Sequence, residues 1–212
     1  MIILSHRGYW NKDIEKNSIT SIERSFEFGF GLETDIRDYN GKLVISHDIP
    51  NEDCLQLDDF LQKYSEQCVD QTQYPIIALN IKSDGLCYEV KSLMRKYDVN
   101  NYFVFDMSIP DTFPFLEANL NVFTRISEYE KDPLLLEGVT GVWMDGFLSD
   151  WYEITDILKF INKGLKVCIV SSELHGRDNT KLWHKLKESQ VFKNNNIMLC
   201  TDFPSIAEEF FE

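Results

Sequence analysis

Apolar and polar positions along the chain alternate between two textures. Short runs rich in Ile, Val, Leu and Phe fall at 2–5 (IILS), 31–36 (GLETDI), 43–46 (LVIS), 75–81, 102–106, 121–126, 141–145, 165–170 and 196–200. Runs of about four to eight such residues, bounded by turn formers, predict strands. The stretches between them carry apolar residues at helical spacing, as Ile154, Ile157, Leu158 and Ile161 do. Strands alternating with helices imply parallel neighbours, because a parallel pair needs a crossover connection. LVIS is the exception: it follows the second strand after only DYNGK, and Asn40-Gly41 suits a tight hairpin. With that extension set aside, eight βα strands remain. They predict a compact (β/α)8 TIM-type barrel, one domain over 1–212, without a large inserted cap. The alternative is an open doubly wound sheet, but no Gly-rich phosphate fingerprint follows the first strand.

Composition narrows the function classes. A hydrophobic fraction of 43% over 212 residues suits a folded core. No apolar stretch reaches membrane-spanning length, so stable membrane insertion is not expected. IILS runs straight into His6-Arg7-Gly8 without the layout of a secretion signal. Five scattered cysteines with no CxxC pair read as idle thiols of a reducing compartment, and a cytoplasmic location is expected. The net charge of −14 argues against a nucleic-acid partner. It also means that an anionic substrate would need a local cationic site.

Barrel chemistry sits at the carboxyl ends of the strands. Those ends read His6-Arg7, Glu33 and Asp35, Lys82, Asp106, Arg125, Asp145, Ser171–Glu173 and Thr201-Asp202. Glu33 and Asp35 are two apart on one strand, so they leave the same face. An inward carboxylate pair needs a cation, and oxygen donors favour Mg²⁺ or Ca²⁺ over zinc. His6 and His47 each end a short apolar strand, which suits acid/base roles. His175, after the 165–170 run, is placed to reach the same strand ends; His184 belongs on a helix surface.

His6-Arg7-Gly8, Asn17-Ser18, Glu33-Thr34-Asp35, "GKLVISHD" ending in His47-Asp48, and "LCTDFP" near the end together resemble the glycerophosphodiester phosphodiesterase family. The resemblance implies a TIM-type barrel that hydrolyses glycerophosphodiesters or similar small phosphodiesters to an alcohol and a glycerol phosphate, with one bound Ca²⁺ or Mg²⁺. It implies His6 and His47 as the acid/base pair and Glu33 and Asp35 as metal ligands. It also implies Arg7 on the phosphate; Lys82, at the third strand tip, is a further phosphate contact by its placement. A small-molecule diester is then the expected partner. Two positions depart from the family pattern. Asn80 stands where a third metal carboxylate is usual, so Asn80, Asp106 or Asp145 would complete the metal site. Lys16 stands where a Glu commonly precedes the Asn. The competing reading is a weakened or inactive barrel that binds a phosphorylated small molecule.

Overall fold

The computed structural model describes residues 1–68, 75–133 and 136–212. In chain order the strands are β1 (Ile2–His6), β2 (Gly31–Tyr39), β3 (Lys42–Ile45), β4 (Leu55–Gln56), β5 (Ile77–Ile81), β6 (Tyr102–Phe105), β7 (Phe123–Ile126), β8 (Gly141–Met144), β9 (Lys166–Val170) and β10 (Ile197–Thr201). The helices are α1 (Ile19–Glu27), α2 (Leu57–Cys68), α3 (Cys87–Lys96), α4 (Ile109–Glu117), α5 (Ile154–Ile161), α6 (Thr180–Glu188) and α7 (Pro204–Phe211). Contacts divide the chain into two compact units: Met1–His6 with Phe123–Glu212, and Arg7–Val122.

In the first unit five parallel strands run in the order β7-β8-β9-β10-β1. The chain's first strand therefore lies beside its last, with Ser5 opposite Thr201. Leu4, Val142, Met144, Ile169 and Leu199 are buried, as expected of parallel strands covered on both faces. Helix α5 begins with a capping box in which Glu153 and Asp156 satisfy each other's backbone N–H groups.

In the second unit β2, β5 and β6 are parallel, and β3 and β4 extend β2 on its other side as antiparallel strands. The Asn-Gly hairpin forms as expected. Tyr39 pairs with Lys42, and Asn40 and Gly41 both take positive φ, 49° and 75°. Leu32 through Ile36 are all buried, so Glu33 and Asp35 sit inside this unit rather than on a solvated face. Helix α4, with Pro110 in its first turn and Pro114 inside it, follows β6 although the sequence there shows no clean helical period. Ser108 caps it by accepting from the N–H of Asp111 at 3.3 Å. Between Ile49 and Cys68 the chain forms β4 and α2, while residues 69–74 of the connection, where the expectation of no inserted cap also falls, lie outside the described residues.

Candidate active site

In the second unit Arg7, Glu33, Asp35 and Lys82 come together. Arg7 takes a left-handed backbone, φ 55°, and Gly8 follows at φ 90°. A Cβ on Gly8 would overlap the Ser21 side chain, so the turn needs glycine on both counts. That turn aims the Arg7 N–H at Glu33: it donates to the Glu33 carbonyl at 2.9 Å and reaches Oε2 at 3.3 Å. The Arg7 guanidinium Nε lies 3.3 Å from Asp35 Oδ2, a charge contact without hydrogen-bond alignment. Lys82, one residue past β5, brings its Nζ within 3.3 Å of the other Asp35 oxygen and 4.0 Å of Asp106.

Asn17 holds this arrangement from below. Its backbone is also left-handed, φ 61°, and its N–H donates to the Arg7 carbonyl at 2.8 Å. Its amide donates to Asp35 Oδ2 at 2.9 Å while its Oδ1 accepts from Thr34 at 2.8 Å. Left-handed non-glycine residues cost about 1–3 kcal/mol each and persist where surrounding contacts over-determine them. Arg7, Asn17 and Asp106 (φ 71°) are three of these in one neighbourhood.

His47 follows β3. Its Nδ1 lies 2.8 Å from Asp48 Oδ1, and its carbonyl accepts from Arg37 at 3.1 Å. The hydrogen bond from His47 holds the Asp48 carboxyl below its ordinary range. With the carboxylate ionised, Nδ1 carries the ring proton and Nε2 is left as the acceptor nitrogen. His47 and Arg7 share one cleft of about 610 Å³, lined also by Lys16, Asn17, Asp48 and Leu55. Lys16 pairs with Asp13 at 2.9 Å and lies over the Trp10 ring.

In the first unit His6 closes β1, and its Nδ1 meets Asp202 Oδ1 at 2.7 Å. Asp202 was legible only as part of a motif; its hold on His6 spans 196 residues of sequence and requires β1 to pair with β10. Glu173 fixes the turn that carries Asp202, accepting from the Asp202 N–H at 3.1 Å and Thr201 Oγ1 at 2.5 Å. Asp145 is taken by His175, whose Nε2 lies 2.7 Å from Oδ1.

A divalent ion is tested by its donors. Glu33 and Asp35 are buried on β2, and Asn80 stands opposite Asp35 on β5. Asn80 Oδ1 is buried without a hydrogen-bond partner, an acceptor that a hard cation would satisfy. Among the described residues no group of three or more His, Cys, Asp and Glu side chains is placed to hold a metal, so a site here is two carboxylates and one amide oxygen. That set fits Mg²⁺ or Ca²⁺ and offers no soft donor for zinc.

No protein-family model and no curated protein sequence matches the chain. A solved structure does: a glycerophosphodiester phosphodiesterase from Agrobacterium tumefaciens str. C58, with a TM-score of 0.71 over 100% of this chain and 98% of that one, at 13% identity. The chain has the α/β fold of that enzyme over its full length. No helix among the described residues is long and apolar enough to cross a membrane.

Proposed function

We propose that the chain is a phosphodiester hydrolase acting on glycerophosphodiesters or similar small diesters, on a closed (β/α)8 barrel. The observation that carries this reading is the pairing of two cations, Arg7 and Lys82, around the buried carboxylate of Asp35 at the strand ends. Beside Arg7, His47 opens onto the same cleft with its proton position set by Asp48. The full-length likeness to a solved phosphodiesterase supports the same reading.

The chemistry asks for three things: neutralised non-bridging oxygens, a deprotonated nucleophile and a protonated leaving alkoxide. Arg7 and Lys82 supply fixed positive charge toward the phosphate oxygens. His6 and His47, each with Nδ1 held by an aspartate, present Nε2 as base and acid. The nucleophile in this proposal is the substrate's own neighbouring hydroxyl, which displaces the alcohol to leave a cyclic phosphate that water then opens to the glycerol phosphate. Glu33, Asp35 and Asn80 would hold one Ca²⁺ or Mg²⁺, which supplies further charge neutralisation at the phosphate. A small-molecule substrate and a cytoplasmic setting belong to the same proposal; Cys87, Cys168 and Cys200 are buried free thiols, which suits a reducing compartment.

The test is turnover of glycerophosphodiesters, with Ca²⁺ or Mg²⁺ added and after chelation. His6→Ala and His47→Ala should each lower kcat by about 10²–10⁴-fold. Asn80, in place of a third acid, favours one second reading: a phosphate-binding barrel with weakened catalysis. Phosphate binding without turnover at any metal concentration selects that reading and removes the first.

A further inference from the structure

The loop after β3 that carries His47 is fastened to β2 at two points. The Ser46 N–H donates to the Asp35 carbonyl at 3.0 Å, and Arg37 Nε donates to the His47 carbonyl at 3.1 Å. Within the loop, Ser46 Oγ donates to the Asp48 carbonyl at 3.0 Å. Arg37 stands two residues beyond Asp35 and four beyond Glu33 on β2, so the three side chains leave the same face of the strand. In the β2–β3 register it lies opposite Val44, three residues before His47. These residues and the cleft that His47 lines all belong to the second unit.

We propose that Arg37 is a positioning residue for His47: its hydrogen bond to the His47 carbonyl holds the imidazole at the cleft wall, on the same frame as the acids of β2. Arg37 is half-buried, and among the described residues this is its one side-chain hydrogen bond, with no salt bridge. A guanidinium taken partly out of water is thus committed to a single carbonyl, through a charge-assisted bond of the stronger kind. Asp48, which grips the ring itself, is almost fully exposed, so water competes for that contact. Asp48 therefore sets which ring nitrogen carries the proton but is a poor anchor for the loop. The bond from Arg37 spans the Asn40-Gly41 hairpin and supplies that anchor. The competing role for Arg37 is charge alone: the Asp48 carboxyl is held below its ordinary range chiefly by His47, and in smaller measure by the charges of Arg7 and Arg37.

Only the kinetic arm of the test rests on the phosphodiester reading. Arg37→Gln keeps an N–H at the same number of bonds from the backbone as Nε but carries no charge. Arg37→Met keeps the apolar stem without a donor, and Arg37→Ala is the second donor-free variant should the first not fold. Backbone ¹⁵N relaxation reads the loop without turnover. Order parameters at His47 and Asp48 should stay near about 0.85 in the wild type and in Arg37→Gln, and fall below about 0.6 in the donor-free variant. On one glycerophosphodiester the donor-free variant should lose about ten- to a hundredfold in kcat with KM little changed, the size expected of a misplaced catalytic group. Arg37→Gln should recover most of that loss. A glutamine variant that behaves like the donor-free one would assign the effect to charge and overturn the proposal. So would a donor-free variant with an ordered loop, or a rise in KM at unchanged kcat, which would make Arg37 a substrate contact. If the wild type turns over no diester, the phosphodiester reading falls, and the relaxation contrast alone decides whether Arg37 holds the loop.

Discussion

Asp202 and Asp48 do the same work on different rings: each fixes Nδ1 of a histidine and leaves Nε2 to act in the proposed reaction. At His6 the bond is short, 2.7 Å, and both partners are only 15% exposed, so water competes poorly for it. At His47 the ring is 42% exposed and Asp48 92%, and the bond is correspondingly easier to replace by solvent. Asp202→Asn should therefore lower kcat by about 10²-fold or more through the wrong tautomer, with KM little changed, while Asp48→Asn costs less than tenfold. Steady-state kinetics on one diester check the contrast, and equal effects would refute it. Asn80 carries the other residue-scale expectation. Its orphaned Oδ1 faces a cost that a cation relieves, but an amide brings no charge. Asn80→Asp should tighten Ca²⁺ or Mg²⁺ binding by about tenfold in calorimetry, because ligand charge count tunes affinity at oxygen sites.

Among the elements, the loop after β7 is tied to the loop after β8 by one carboxylate. Glu128 accepts from the backbone N–H groups of Phe147, Leu148 and Ser149 at 3.0, 2.5 and 3.2 Å. Burial pushes this carboxyl up, but the N–H groups of Leu148, Glu128 itself, Phe147 and Ser149 together outweigh it, and the net direction is down from 4.5. A carboxyl lowered in the folded state contributes stability above its ordinary value and loses that contribution as pH falls through the lowered one. Glu128→Gln should thus cost about 1–3 kcal/mol in urea melts at pH 7, and the gap to wild type should narrow below pH 4.5. A gap unchanged down to acid pH would remove the clamp as its cause. Elements like β2 and β3 were legible in the sequence because their signals are local: alternation fixes the Glu33 and Asp35 face, and Asn40-Gly41 fixes the turn. Helix α4 was not, since Pro110 and Pro114 mask a helical segment whose cap, Ser108, is visible only once the backbone is placed. β4, two residues long, has no period to read. The candidate site divides the same way. Arg7 and Lys82 were foreseen at strand tips, whereas the Asp202–His6 and Asp145–His175 contacts depend on pairings and turns far apart in sequence.

At the scale of the whole molecule the dominant quantity is a net charge of −14, which would face the anionic substrate of the proposed reaction. The cations that oppose it act at short range: Lys82 and Arg7 each lie 3.3 Å from Asp35, and a bound phosphate would meet them at similar distances. Salt separates the two ranges. At 0.01 M ionic strength the screening length is about 30 Å, so the repulsive field of the entire chain reaches an approaching diester. At 0.15 M it shrinks to about 8 Å, which spares the contacts inside the site and removes most of the distant repulsion. For a monoanionic diester, with divalent ion held constant, kcat/KM should rise about two- to fivefold between those conditions, while kcat stays nearly flat. The direction is the informative part. A fall in kcat/KM with added salt would mean that Arg7 and Lys82 project their field well beyond the cleft, and that the acidic surface does not govern how substrate arrives.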